Sequence, residues 1–164
     1  GGVPGELGHM TIDSNGAICG CGSRGCLEAV ASQTGIQAEI KARIKRGEDT
    51  DIKESLEKEG ILKSGPLRAA YDKGDIVVRE TVERAAKYLG VGVANLINIF
   101  DPEAVVFGGG VIEELGDIIL PIIKEEASRY AMRSIFENVK FEKAQLGDDA
   151  GIMGAFVLAQ EGVK

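Results

Sequence analysis

The residues best suited to chemistry lie close together near the start of the chain. His9 is its only histidine, and Cys19, Cys21 and Cys26 are its only cysteines among 164 residues. Three thiolates and one imidazole form a complete tetrahedral ligand set for zinc. Since four protein ligands leave no open position for water, such a metal is structural rather than catalytic. The spacing therefore predicts a structural zinc loop.

Two other interpretations of the cysteines stay open at this point. The three thiols can be buried without a metal, or two of them can pair and leave one over for redox chemistry. Cys19 and Cys21 are too close in sequence to pair comfortably, and an odd count fits a disulfide framework poorly. Glycines at positions 16, 20, 22 and 25 allow a short loop to turn its sulfur atoms inward. Zinc is the interpretation that we favour.

The same stretch resembles the signature of a known family. The residues PGELGHMTIDSNGAICGCGSRGCLEAVAS are similar to the pattern of the ROK family, which comprises bacterial and archaeal sugar kinases and sugar-responsive repressors. That pattern is Glu-x-Gly-His, a strand, and then Cys-x-Cys-Gly-x-x-Gly-Cys-x-Glu, and the chain follows it without a gap. The resemblance implies an actin-like, ribonuclease H-like fold with two lobes, of which this chain is the C-terminal one.

The resemblance also implies a sugar site beside the zinc loop. Family members hold the sugar ring with the residues that correspond to Glu6, His9 and Glu28. Exposed glutamates are common, and Glu28 also suits the start of a helix. Each glutamate nevertheless lies a few residues from a metal ligand, so a rigid loop would fix its position, and its carboxylate can accept strong charge-assisted hydrogen bonds from hydroxyl groups. His9 would bind zinc with one ring nitrogen and donate a hydrogen bond with the other.

A second candidate site is the glycine run Gly108, Gly109 and Gly110, which follows a predicted strand and precedes a helix. Alone, this pattern indicates a packing turn. Within the resemblance it corresponds to the adenosine-binding turn of sugar kinases, which use ATP and magnesium. The family's catalytic base is an aspartate in an Asn-Asp pair, and no such dipeptide occurs here. We therefore assign no catalytic residue in this chain and expect it to have no turnover alone.

Composition limits the other classes of function. The formal charge of −7, from 19 basic and 26 acidic residues, argues against nucleic-acid binding by this segment. No apolar run is long enough to span a membrane, and clustered free thiols fit a reducing cytoplasm. The chain begins at Gly1 within its own site signature, so we expect the C-terminal part of a longer protein. Residues 1–164 form one domain by size.

Three functions remain as hypotheses. The first is one lobe of an ATP-dependent kinase that acts on glucose or a similar hexose. The second is the effector-binding lobe of a sugar-responsive repressor, which would carry a helix-turn-helix upstream. The third is a zinc-stabilised interaction module without a small ligand. The family resemblance also leads us to expect a homo-oligomer.

Periodicity predicts an α/β fold with one twisted sheet under several helices. The predicted strands are 9–13, a buried strand at 103–107, and 135–146. Helices are predicted at 26–32, 76–100, 111–131 and 151–160. Another helix begins at Ser32 or Thr34 and ends at Gly47. A solvated surface helix is predicted within 48–64, and a further helix opens at 65–66. Pro121 is expected in the first turn of a helix capped near Asp117 or started after Leu120. Asp148 or Asp149 is expected to cap the last helix, and residues 1–8 are expected to form a loop.

Overall fold

One long helix organises the chain in the computed structural model, which describes residues 5–162 apart from the side chain of Asp148. Periodic apolar residues predicted this helix, and it runs from Ile76 to Phe100. In chain order the helices are α1 Leu27–Ala31, α2 Gln33–Lys45, α3 Lys53–Glu59, α4 Ser64–Lys73, α5 Ile76–Phe100, α6 Gly110–Tyr130, α7 Arg133–Phe136 and α8 Ala150–Glu161. The strands are β1 Ala104–Phe107 and β2 Lys140–Lys143, and short 3-10 turns span Leu7–His9 and Gly147–Asp149. The part of the predicted N-terminal loop before Gly5 lies outside the described residues.

The core lies where α5 packs against α6, α1 and α2. Gly90 lets the backbone of α6 come close to α5, and Gly92 leaves room for a side chain of α1. A Cβ atom at Gly90 would lie 2.9 Å from the carbonyl oxygen of Ile123 on α6, and one at Gly92 would lie 2.9 Å from the side chain of Leu27 on α1. Because glycine has no side chain, both α6 and α1 can pack close to α5 at these two positions.

The sheet is smaller than the sequence indicated. β1 and β2 pair in parallel, with Ala104 opposite Lys140 and Phe107 opposite Lys143. The prediction of a buried strand at 103–107 was wrong in its burial, because only Phe107 is buried and Val106 is exposed. The apolar run was a poor guide because β1 pairs with β2 alone among the described residues. The predicted strand at 135–146 is in fact α7 followed by the four residues of β2.

Three further predictions need correction. Residues 9–13 form no strand, since Thr11 makes only an isolated bridge to Cys26. The charged segment 48–64 is not wholly solvated, because α3 is short and Ile52, Leu56 and Leu62 are buried in the core. The many charged residues around them hid these three apolar positions in the sequence.

Pro121 lies inside the continuous helix α6 rather than in a first turn. Proline has no N–H to donate to the carbonyl of Asp117, and this interruption costs about 3 kcal/mol in a helix interior. The buried side chains Leu115, Ile119 and Ile123 lie on both sides of Pro121 and pack into the core, so tertiary packing keeps the helix intact.

The last helix, α8, begins close to the predicted position, but its surroundings differ from those of the other helices. Asp149 stands at its N-cap position, yet its side chain accepts no capping hydrogen bond. The described residues of α8 are all exposed, including Ile152, Phe156 and Leu158. None of the helices among residues 5–162 is both long enough and apolar enough to cross a membrane.

Asp75 joins the start of α5 to the segment before α3. Its carboxylate accepts hydrogen bonds from the Val78 backbone N–H (3.0 Å), the Thr50 hydroxyl (2.6 Å) and the Asp51 backbone N–H (2.8 Å). Burial works to raise the pKa of Asp75, but the three hydrogen bonds outweigh it and hold the pKa below its ordinary value. A carboxylate with a depressed pKa stabilises the fold above its unfolded pKa of about 4, and this contribution is lost as the pH falls through the folded pKa.

We predict that Asp75→Ala lowers the free energy of unfolding by about 1–2 kcal/mol at pH 7, because α5 loses its N-cap. The difference from the unmodified chain should shrink below about pH 4, where the native carboxylate also becomes protonated. Urea denaturation at pH 7 and at pH 3 measures both effects. Glu54→Ala removes an exposed carboxylate paired with Lys58 and should change stability by no more than about 0.5 kcal/mol. Equal losses in the two variants would contradict the capping role.

Candidate metal centre and flanking carboxylates

The cysteine-containing segment folds back on itself through backbone hydrogen bonds. The Gly25 carbonyl accepts from the N–H groups of Ile12 (2.8 Å) and Asp13 (3.2 Å), and the Gly25 N–H donates to the Ala17 carbonyl (2.8 Å). Antiparallel bridges at Thr11–Cys26 and Ile18–Arg24 continue the pairing on either side. The two halves of the loop therefore meet, and residues far apart in its sequence become neighbours.

Gly25 occupies a position that only glycine fits. Its φ of +71° lies in the left-handed region, and a Cβ atom there would lie 1.6 Å from the carbonyl oxygen of Asp13. That distance is less than half of an ordinary van der Waals contact, so any side chain would force the two halves of the loop apart. The glycine directly before Cys26 thus allows this cysteine to enter the cluster.

The structure brings all four predicted metal ligands together. One ligand atom from each of His9, Cys19, Cys21 and Cys26 lies within 4.8 Å of the others. The Cys21 and Cys26 sulfur atoms are 3.7 Å apart, and the Cys19 sulfur lies 3.7 Å from the His9 Nδ1 atom. Zinc–sulfur bonds of about 2.3 Å in a tetrahedron require sulfur atoms about 3.8 Å apart. All three cysteines are free thiols, so the donor set and its spacing fit a metal ion of this kind.

The surroundings of Cys21 and Cys26 shift the pKa values of the two thiols in opposite directions. A hydrogen bond from the Ser23 backbone N–H is the main cause that lowers the pKa of Cys21 to about 7. Burial, together with the hydrogen bond to Cys21, raises the pKa of Cys26 to about 11. Negative charge on the neighbouring thiols adds to the rise at Cys26. A divalent cation supplies the positive charge that stabilises three adjacent thiolates. The charge of the donor set, like its spacing, therefore fits a metal ion.

Glu6, His9 and Glu28 form a cluster beside the cysteines. The Glu6 Oε2 atom lies 3.6 Å from His9 Nε2, and the Glu28 Oε2 atom lies 3.5 Å from His9 Nδ1. The side chains of Glu6, His9 and Glu28 are 61%, 35% and 48% exposed, respectively, so solvent reaches all three. The structure thus brings together the three residues that the sequence grouped, with one carboxylate near each ring nitrogen of the imidazole.

Two residues that anchor the loop were missed from the sequence. The Tyr88 hydroxyl on α5 donates to Asp13 Oδ2 (3.2 Å), and Asp13 Oδ1 accepts from the Asn15 backbone N–H (2.9 Å). Burial raises the pKa of Tyr88, which keeps its hydroxyl protonated as a donor. Tyr88 lies 75 positions after Asp13, so no local pattern could reveal the pair.

The glycine run borders a separate cavity of about 410 Å³. Gly109 has a φ of +96° and stands at the N-cap position of α6, which begins at Gly110. The lining residues are Ala31, Ser32, Gln33, Leu89, Val106, Phe107, Gly108, Gly109, Gly110, Val111, Ile112 and Ile119. Packing also accounts for part of the glycine run, because a Cβ atom at Gly110 would lie 2.9 Å from the Ser64 hydroxyl oxygen.

The short helix α1 connects the two candidate sites. Glu28 of the carboxylate pair lies in its first turn, and Ala31 at its end lines the cavity. Three residues of helix correspond to a rise of about 4.5 Å. A ligand held by Glu28 and a ligand in the cavity would therefore lie near each other.

An α/β lobe that carries a three-cysteine, one-histidine loop is the class of protein that this fold and site define. A model described as the ROK family matches residues 1–162, and the chain belongs to that family. A glucokinase of Halalkalibacterium halodurans is 37% identical over 161 residues, which are 98% of this chain and 48% of that protein.

Solved structures of both functional classes share the fold. A ROK family transcriptional regulator, described as a homolog of the E. coli MLC protein, is 33% identical with a TM-score of 0.81 over 97% of this chain and 39% of that one. A ROK family glucokinase from Streptomyces griseus, solved in complex with glucose and AMPPNP, is 32% identical with a TM-score of 0.77 over 98% of this chain and 53% of that one. The α/β assignment is confirmed. The chain spans about half the length of the kinases and less of the regulator.

We predict that Gly25→Ala opens the loop, because its Cβ would collide with the Asp13 carbonyl. The melting temperature should fall by about 4 °C or more, as expected for a loss above 1 kcal/mol. Differential scanning calorimetry measures the shift. Gly20→Ala is the matched control, since a Cβ atom at Gly20 meets nothing within 4 Å. If the two variants have the same melting temperature, the close approach at Gly25 does not stabilise the loop.

Proposed function

We propose that this chain is the sugar-binding lobe of an ATP-dependent kinase that phosphorylates glucose or a related hexose. The observation that carries the proposal is the cluster of two exposed carboxylates around His9. This cluster lies beside the metal-ligand set, and the short helix α1 connects it to the cavity. The glucokinase relative and the glucokinase solved with glucose and AMPPNP support it. The activity belongs to the longer protein that we expect this chain to come from.

The metal ion in this proposal is zinc, held by His9, Cys19, Cys21 and Cys26. Its contribution is structural, because four protein ligands occupy the tetrahedral positions of zinc. The loop residues Ser14–Cys26 would then keep a single conformation, and α1 would begin at a fixed place directly after Cys26. Zinc thereby fixes the positions of His9 and Glu28 relative to each other.

Glu6 and Glu28 would accept hydrogen bonds from the sugar hydroxyl groups. Ionised carboxylates make shorter and stronger hydrogen bonds than neutral acceptors, and two of them on opposite sides of an imidazole can contact more than one hydroxyl. His9 would offer its second ring nitrogen to the same ligand. The partial exposure of all three side chains leaves them accessible to a ligand from solvent.

ATP with magnesium would place its adenosine in the cavity beside Gly108, Gly109 and Gly110. The run of glycines lets a flat ring approach the backbone, and Phe107 and Ile112 provide apolar walls. Phosphoryl transfer also needs a base near the acceptor hydroxyl. We assign no residue of this chain to that role, so the base would come from the remainder of the longer protein.

The second candidate function is the effector lobe of a sugar-responsive repressor. The regulator structure superposes on this chain with a TM-score of 0.81, so the same fold supports that role. A repressor needs the sugar cluster but has no need of a nucleotide cavity. The cavity at the glycine run favours the kinase. In either case we expect a homo-oligomer in the reducing cytoplasm, without nucleic-acid contact by this segment.

We predict that the purified chain carries one zinc ion and that Cys21→Ser loses it, because three ligands hold zinc more weakly than four. Inductively coupled plasma mass spectrometry after dialysis against a weak chelator measures the metal content. Ser14→Ala removes an exposed hydroxyl from the same loop, away from the ligand atoms, and should retain full metal content. Unchanged zinc in the Cys21→Ser variant would exclude the four-residue site.

We predict that the longer protein releases ADP from MgATP only when a suitable hexose is present. Glu28→Gln should raise the KM for that sugar at least about tenfold, because a charge-assisted hydrogen bond is worth about 1.5–3 kcal/mol. A coupled assay with a panel of hexoses and N-acetylhexosamines measures both. Glu103→Gln removes the same charge from an exposed position next to β1 and should leave the KM unchanged.

The outcome distinguishes the two candidate functions. If a zinc-loaded protein releases no ADP with any sugar but binds one in calorimetry, and Glu28→Gln weakens that binding, the protein is a sugar sensor. If no sugar binds at all, the carboxylate cluster is not a sugar site and both candidates fail.

A further inference from the structure

The three cysteines of the metal-ligand set differ sharply in accessibility. Cys19 is 5% exposed and Cys26 is completely buried, whereas Cys21 is exposed. Oxidants in solution react with accessible cysteines that have thiolate character, and a metal-bound thiolate remains a nucleophile. Cys21 is therefore accessible to oxidants in solution, whereas Cys19 and Cys26 are shielded from them.

The exposed sulfur has one well-placed partner. Cys21 Sγ lies 3.7 Å from Cys26 Sγ, and a disulfide requires about 2.0 Å, so the two atoms must approach by about 1.7 Å. A Cβ atom at Gly20 or at Gly22, on either side of Cys21, would meet nothing within 4 Å, so this part of the loop has room to move. Cys26 is held by the Thr11 bridge, so Cys21 is the sulfur that moves.

Cys19 is a poorer partner for either sulfur. Only one residue separates it from Cys21, and a ring closed by so short a segment is strained. Its own sulfur lies 3.7 Å from His9 Nδ1, whereas the Cys21 and Cys26 sulfur atoms lie 3.7 Å from each other. Among the three possible pairings of this chain, the geometry therefore selects Cys21 with Cys26.

We propose that Cys21 is an oxidation site for hydroperoxides, with Cys26 as the resolving thiol. The Cys21 thiolate attacks one oxygen of hydrogen peroxide, the O–O bond breaks, and a sulfenic acid forms as hydroxide leaves. The Cys26 thiolate then attacks the Cys21 sulfur, the S–S bond forms, and the sulfenic oxygen leaves as a second hydroxide. Two thiolates are oxidised by two electrons, and the peroxide is reduced to two hydroxide ions, which take up protons to give water.

The reaction would couple oxidation to the ligand site, and this consequence rests on the proposed zinc and sugar sites. A disulfide removes two of the four ligands, so the remaining His9 and Cys19 would release the metal. Cys26 also precedes α1, which carries Glu28, and Glu28 lies 3.5 Å from the His9 ring. Loss of the metal would leave His9 and Glu28 without a fixed relative position, and sugar affinity would fall.

The experiment treats the zinc-loaded chain with one equivalent of hydrogen peroxide and then blocks the remaining thiols with N-ethylmaleimide. Trypsin cuts after Arg24, so a disulfide to Cys26 joins two peptides, and fragmentation assigns it to Cys21 or Cys19. A chromogenic chelator records released zinc in parallel. We expect a Cys21–Cys26 disulfide, one zinc released per disulfide, and recovery after dithiothreitol and zinc are added.

A second measurement does not depend on the metal or on disulfide closure. Limited alkylation by iodoacetamide, without peroxide, should modify Cys21 at least about tenfold faster than Cys19 or Cys26. In Cys26→Ser the sulfenic acid on Cys21 has no resolving thiol and should be trapped by dimedone. Equal alkylation rates, a disulfide that includes Cys19, or no dimedone adduct would each overturn the proposal. A chain that forms the Cys21–Cys26 disulfide but contains no zinc would contradict only the zinc site.

Discussion

The close approach of four ligand atoms is the constraint on which the candidate site depends. Within this cluster burial raises the pKa of Cys26, and negative charge on the neighbouring thiols raises it further. A divalent cation removes this conflict, because it stabilises the thiolates that it binds. Without such a cation the backbone would have to hold the loop closed through a few hydrogen bonds around Gly25.

The helical core extends this constraint to the rest of the chain. α5 holds Asp13 of the loop through Tyr88 and receives Leu27 of α1 against the bare backbone at Gly92. α1 in turn carries Glu28 at one end and borders the cavity at the other. A change in the metal loop would therefore affect both candidate ligand sites, since Glu28 and Ala31 lie on the same five-residue helix.

The sequence predicted the site more completely than the fold. His9, the three cysteines, Glu6 and Glu28 lie within 23 positions, so one local pattern contained them all, and the structure brings them together. The helices α2, α4 and α5 also followed from periodicity and from the caps at Ser32 and Asp75. The anchor between Tyr88 and Asp13 and the burial of Leu62 could not be predicted, because both depend on contacts between distant segments. The exposure of β1 depends on which neighbours the strand has, and a four-residue apolar run does not specify them.

A transcriptional regulator and a glucokinase share this fold, and binding a sugar and transforming it place different demands on a protein. Binding requires fixed carboxylates, and under the proposed function Glu6 and Glu28 would supply them. Turnover requires in addition a base and a phosphate site that meet the bound hydroxyl. A protein without those additional groups can still bind the sugar. Such a chain can report the presence of sugar through any conformational difference between its bound and free states. Under the proposed function the metal loop would suit either outcome, whereas only the kinase would need the cavity beside Gly109.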